Sequence, residues 1–183
     1  MSKYENPWKT LSVRDVYDNP WINVSEHEVT NPSGHPGIYG KVSFKNLACG
    51  IIPLDENDIT WIVGQYRYTL DEYSWEIPMG GVACGTDPLA GAKQELKEET
   101  GLSASHWEQI LAVHLSNSIT DEAGFVYVAK GLEHGETKFD DTEKLEIRQL
   151  PFVELLNMTM NGEITDVLSV AGVLKLAALK ASV

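Results

Sequence analysis

The sequence predicts an α/β fold: one mixed β-sheet lying between helices, preceded by an antiparallel β extension. Three observations carry this. The chain has 183 residues, enough for one sizeable core with a modest extension and too few for two full domains. Strand-like and helix-like segments follow one another without a regular β-α-β repeat, which predicts a mixed sheet covered by helices on both faces. The first 46 residues are extended, broken by turns and poor in apolar content, so they must pack on something to be stable. The expected division is therefore an extension over residues 1–46 and a main domain over 47–183.

Taken in order, residues 21–29 (Trp-Ile-Asn-Val-Ser-Glu-His-Glu-Val) alternate apolar and polar as a half-buried strand does. The turn cluster from Asn31 to Gly37 precedes a hairpin partner at Ile38–Phe44. Ala48–Leu54 and Ile59–Tyr68 read as strands around the polar turn Asp55–Asp58, and Ser74–Ile77 as a third. Pro78-Met79-Gly80-Gly81 opens a glycine-rich loop. Asp87-Pro88 then starts a helix, with Asp as N-cap and Pro in the first turn, and Gly101 ends it. Trp107–Leu115 and Phe125–Ala129 read as further strands, and Pro151–Met160 and Asp166–Lys180 as closing helices.

Composition excludes several classes. Lys and Arg number 14 against 27 Asp and Glu, a formal charge of −13. Nucleic-acid binding needs clustered cations to neutralise phosphates, so no nucleic-acid partner is expected. The same charge would repel a small anionic substrate unless divalent cations reversed the field locally. Cys49 and Cys84 are too few for a disulfide scaffold and lack metal-ligand spacing. The N-terminal residues contain no apolar run of the signal-peptide kind. Val167–Leu179, the longest apolar stretch, is interrupted by Ser169 and Lys175 and too short to span a bilayer. No membrane association and a cytoplasmic location are expected.

The helix 88–100 concentrates the chemistry. Leu89, Ala92 and Leu96 make a face that can pack on a sheet. Glu95, Glu98 and Glu99, at i, i+3 and i+4, gather on an adjacent face. Alone, three such glutamates describe a solvated acidic stripe, but carboxylate oxygens are also the hard ligands that Mg²⁺ or Mn²⁺ prefers. The surrounding spacing chooses between these readings. Gly80, Glu95, Leu96, Glu98, Glu99, Gly101 and Leu102 match the Nudix box, Gly-x5-Glu-x7-Arg-Glu-U-x-Glu-Glu-x-Gly-U with U aliphatic, over residues 80–102. The segment resembles that family's loop-helix-loop, which the local reading reached separately. Two positions depart from the pattern: Thr86 stands where the family has Glu, and Gln94 where it has Arg. Losing an acid and a base together leaves no unpaired charge, and a Thr86–Gln94 hydrogen bond is the expected substitute.

The resemblance reaches from about residue 8 to 180. Gly64-Gln65-Tyr66-Arg67-Tyr68 and Trp75-Glu76-Ile77-Pro78-Met79-Gly80-Gly81 look like the ADP-ribose and ADP-sugar pyrophosphatase branch. So do Gly131-Leu132, Gly135-Glu136 and Gly162-Glu163-Ile164-Thr165-Asp166. The resemblance implies a Nudix fold and a divalent cation, Mg²⁺ with Mn²⁺ able to substitute. The ligands would be Glu95 and Glu99, assisted by Glu98 and the Met79 carbonyl. It also implies a general base in the acidic loop Asp140–Lys144, where register favours Glu143 and then Asp141. Trp21 and Tyr39 fall near base-stacking positions of that branch and Arg67 on its phosphate-contacting arginine, while Ser116 stands in a polar loop able to meet the sugar. For Trp21 and Tyr39 a place in the core, and for Ser116 ordinary turn chemistry, are competing explanations.

The expected function is hydrolysis of a nucleoside diphosphate sugar (ADP-ribose, an ADP-sugar or GDP-mannose) to a nucleoside monophosphate and a sugar phosphate. The N-terminal strands, lacking a core, are expected to build a homodimer that shares its site between chains. A Nudix-fold sensor that binds such ligands without turnover is the alternative, motivated by Thr86 and Gln94 and opposed by the three box glutamates. A messenger-RNA decapping role fits poorly with the −13 charge.

Overall fold

Residues 46–53 are apolar beyond simple alternation, as a strand buried on both faces must be. The computed structural model, which describes residues 5–135 and 145–182, places this segment, β4 (Asn46–Pro53), inside a four-stranded sheet ordered β7-β4-β9-β8. There β4 runs parallel to β9 (Ala123–His134), with Ile51 opposite Tyr127, and β8 (Leu102–His114) runs antiparallel to β9. Alternate β4 side chains enter two different cores. Cys49 and Ile51 pack with Ala92 and Leu96 of α1 (Pro88–Thr100). Ile52 packs with Leu155 and Met158 of α2 (Phe152–Met160) and Leu168, Val173 and Leu176 of α3 (Val167–Ala181). Helices thus cover both faces, as the sequence predicts.

A separate three-stranded antiparallel sheet, β10-β5-β6, holds β10 (Glu146–Pro151), β5 (Ile59–Arg67) and β6 (Glu72–Glu76). The strand material of the main domain is therefore split over two sheets rather than one. β7 is Met79–Ala83, so the glycine-rich segment read as loop is a strand. β8 and β9 also run well beyond the predicted cores at 107–115 and 125–129. Gly residues at 80 and 81 weaken the strand signal, and pairing beside β4 overrides it.

The chain divides into two units. One comprises Met1–Asn46 with Ser116–Glu122, the other Leu47–Leu115 with Ala123–Val183. Within the first, β1 (Lys9–Asp18), β2 (Ile22–Thr30) and β3 (Pro36–Phe44) form an antiparallel sheet with β2 central. β1 does not stand out in the sequence, and all ten of its residues are exposed. The segment 116–122 joins this unit through Val42 N–H to Ile119 carbonyl (2.9 Å) and Ser43 Oγ–H to Asp121 (2.9 Å).

Candidate active site

α1 forms where its local signals put it. The Asp87 carboxylate accepts from Leu89 N–H (3.1 Å), Pro88 occupies the first turn, and Gly101 closes the helix at φ 72°, its N–H donating to the Lys97 carbonyl. That left-handed closure suits glycine, which has no Cβ to clash. Ala92 and Leu96 are fully buried, and this rotational setting directs Glu99 inward and leaves Glu95 and Glu98 half-buried.

Glu99 is 2% exposed. A carboxylate removed from water needs polar partners, and one of its oxygens accepts Met79 N–H at 2.9 Å. The Glu95 carboxylate lies so close to Gly80 that a Cβ there would overlap it. Two box carboxylates thus reach the Met79–Gly80 backbone from consecutive turns of one helix. Glu98 instead accepts from the Gln94 side-chain amide (3.1 Å), one turn back on the same face. Among the described residues no hydrogen bond joins Thr86 to Gln94, so Gln94 spends its amide within the helix rather than on the expected Thr86 contact. Thr86 N–H donates to the Ala83 carbonyl in the preceding turn.

Among the described residues no three His, Cys, Asp or Glu side chains already converge as a metal cage. The donors at the Met79–Gly80 segment, two carboxylates beside backbone oxygens, are hard and fit a hard divalent cation completed by water and substrate oxygens rather than an all-protein cage. Cys49, buried beneath this helix, is no competing ligand: burial, with help from Glu95 and Asp87, pushes its thiol up to about 11.

Arg67, at the end of β5, donates through Nε to Glu76 (2.9 Å) and through a second guanidinium nitrogen to the other carboxylate oxygen. Glu76 closes β6 and its side chain is 3% exposed, that of Arg67 36%. The Glu76 hydrogen bonds, working against burial and helped by the charges of Glu76, Asp166 and Glu99, hold the guanidinium above its ordinary range. This fork-to-fork pairing fixes the plane of the arginine while leaving part of it open. Glu76 lies within the segment that carries the resemblance, yet its partnership with Arg67 is not readable from a linear motif.

The remaining predicted residues lie elsewhere. Trp21 is 64% exposed, which excludes it from the core. Tyr39 is half-buried; its ring meets Trp8 edge-on at 5.5 Å and its hydroxyl donates to the Ser118 carbonyl (2.5 Å). Ser116 is exposed, and its carbonyl accepts from Ile119 and Thr120 N–H, as turn chemistry requires. These three residues belong to the first unit. Asp141 and Glu143 lie outside the described residues. Trp8, with Asn6, Thr10, His27, Val29 and Tyr39, lines a cavity of about 240 Å³ that sequence reading did not single out.

Comparison with known proteins finds matches along most of the chain. Residues 8–42 match a nucleoside diphosphate sugar hydrolase N-terminal domain, and residues 45–168 a NUDIX domain. The chain is 30% identical over 179 residues to an ADP-ribose pyrophosphatase of Mycobacterium tuberculosis, spanning 96% of this chain and 86% of that one. It is 29% identical over 160 residues to a methanol dehydrogenase activator of Bacillus methanolicus, covering 86% of each. The crystal structure of an ADP compounds hydrolase superposes with a TM-score of 0.87 over 99% of this chain and 98% of that one, at 18% identity. The domain match takes in the whole capped helix and the strand that Glu99 grips, and the chain belongs to the Nudix family.

Proposed function

We propose that the protein hydrolyses the pyrophosphate of a nucleoside diphosphate sugar, with ADP-ribose and ADP-sugars as the leading substrates, in the presence of Mg²⁺. One observation carries this reading: the buried Glu99 carboxylate holds Met79 N–H while Glu95 fills the space over Gly80, so hard oxygen donors gather on one backbone segment. Glu95, Glu99 and the Met79 carbonyl would hold the cation, with Glu98 assisting. When bound, it withdraws charge from the diphosphate and lowers the pKa of a bound water. Arg67, held flat by Glu76, meets a phosphate oxygen with the open part of its guanidinium. Glu143 takes the proton of the attacking water, with Asp141 second in that role. Trp21 and Tyr39 supply aromatic surface for the base, and Ser116 a hydroxyl for the sugar. The names of the pyrophosphatases it resembles support this substrate class.

The protein acts as a homodimer through residues 1–46. Supporting this, β1 is an edge strand whose Leu11, Val13, Val16 and Tyr17 are each more than half exposed, a surface that proteins normally cover. A cytoplasmic setting suits Cys49 and Cys84, which form no disulfide, and among the described residues no helix is long and apolar enough to cross a membrane.

The test is a screen of purified protein with Mg²⁺ over a panel of nucleoside diphosphate sugars, reading phosphate after phosphatase coupling. Turnover of an ADP-linked substrate that chelator abolishes and added Mg²⁺ restores is the expected result. Tight binding of the panel without turnover would replace the hydrolase with a sensor, and undiminished activity in excess chelator would end the metal assignment.

A further inference from the structure

The segment Ile77-Pro78-Met79 joins the strand that ends in Glu76 to the strand that Glu99 grips. Proline has no N–H, so this segment offers two backbone donors. Met79 N–H goes to Glu99 on α1. Ile77 N–H, fully buried, goes to Ser169 Oγ at 3.0 Å, 92 residues away on α3. An acceptor between them is also taken: the Pro78 carbonyl receives Ile51 N–H from β4 at 2.8 Å. Three elements therefore hold three consecutive residues.

Ser169 is itself completely buried and rigidly presented. It stands three residues after Asp166, the N-cap of α3, and its N–H donates to the Asp166 carboxylate at 2.7 Å. A Glu or Gln at this position ordinarily reaches back to the cap's own N–H, which the shorter serine does not. Here the hydroxyl accepts from Ile77 N–H, in the segment between β6 and β7, instead. α3 is seated tightly against the sheet as well, since a Cβ at Gly172 would come within 2.9 Å of Val126.

We propose that Ser169 is a positioning residue of the metal site. It anchors Ile77 from α3 so that Met79 stays in the register in which Glu99 accepts its N–H and its carbonyl is offered to the cation. The same anchor sets the end of β6, and with it the Glu76 carboxylate that orients Arg67. This rests on the proposed metal role of Glu99 and Met79.

The test measures Mn²⁺ binding by electron paramagnetic resonance on the full-length protein, beside steady-state kinetics. Groups that orient a metal's ligands typically govern about 10–100-fold in affinity or activity, so Ser169→Ala should weaken Mn²⁺ binding by about tenfold and lower kcat at saturating metal. Val173→Ala, which opens the same buried helix face but leaves the Ile77 N–H to Ser169 bond in place, should lower Tm and leave Mn²⁺ affinity unchanged. If Ser169→Ala fails to fold, Ser169→Cys keeps the volume and offers only a weak sulfur acceptor, and it should show the same loss. Unchanged Mn²⁺ affinity in the serine variant, or an equal loss in Val173→Ala, would overturn the proposal. Glu99→Gln separates the two levels: if it too leaves Mn²⁺ binding intact, the metal assignment itself fails; if it alone loses binding, only Ser169 is misassigned.

Discussion

The two units of this chain solve opposite problems. In the second, β4 sends alternate side chains into two cores, helices cover both faces, and Glu99 is carried inward on a helix whose Ala92 and Leu96 are fully buried. In the first, three strands make an antiparallel sheet whose edge strand is exposed along its whole length, and Val29 is a hydrophobic side chain that it does bury. A dense core can hold a carboxylate against a backbone N–H at fixed distance. An open sheet makes such bonds only at its surface, as Asp121 does with Phe44 N–H, and it can present aromatic surface. The proposed function divides accordingly: it assigns bond breaking to the unit with a core, and recognition and assembly to the unit without one.

The sharpest test of that division is Glu99→Gln. The amide still accepts Met79 N–H, so the fold should persist, yet a ligand charge is gone and turnover should fall close to the uncatalysed background. Circular dichroism and a phosphate assay check both halves. Wild-type turnover would put the metal elsewhere.

Glu143→Gln comes next. Removing a general base typically costs about 10²–10⁴-fold, so kcat should drop on that scale with KM little changed, and Asp141→Asn should be milder. A loss below threefold at Glu143 beside a far larger one at Asp141 would shift the register of this loop. If neither matters, the base is a box glutamate such as Glu98.

Trp21→Ala probes the other unit. Stacking of a base on an aromatic ring is worth about 1–3 kcal/mol, so KM should rise by about tenfold while kcat holds. A fall in kcat at unchanged KM would break the division of labour, because a residue outside the dense core would then be serving the chemical step.

Assembly should also read out on the first unit. Sedimentation at micromolar concentration should show a dimer, and Val13→Lys, on the exposed edge strand, should shift it toward monomer. A fully active wild-type monomer would remove the shared-site proposal.

The smallest effect is a pH dependence confined to the first unit. Burial pushes the Asp121 carboxyl up, but bonds from Lys41, Ser43 and Phe44 N–H outweigh it and leave it below its usual range. Because the folded value is depressed, its stabilisation is complete above the unfolded pKa of about 3.9 and fades as pH falls through the folded value. Phe44 N–H, which donates to Asp121 at 3.1 Å, should keep its hydrogen-exchange protection from neutrality down to the ordinary carboxylate pKa of about 3.9 and lose it only at lower pH. Asp121→Asn should reduce protection at neutral pH and flatten the acid limb.

The helix of the candidate site was legible because its signals are local. Asp87, Pro88 and Gly101 delimit α1, the apolar triplet sets its buried face, and the 3.6-residue period then decides which way the glutamates point. Helix geometry makes those positions readable from spacing alone. β7 was not legible, since Gly80 and Gly81 carry no strand preference until β4 supplies a partner. Nor was the destination of Gln94, whose amide has acceptors both in the preceding loop and along its own helix.

From the sequence alone came the box helix, the alternation of strands and helices, and an acidity that calls for a cation beside an anionic substrate. The tertiary structure alone decided that Glu76 takes Arg67, that Glu99 is buried against Met79 N–H, and that Ser169 reaches across 92 residues to hold Ile77. The physical reason is the range of the forces. Caps and helical periods act within a few residues, where order along the chain determines distance. Burial of a polar group forces it to find a partner wherever the packed core brings one, and that partner's place in the sequence is set by topology.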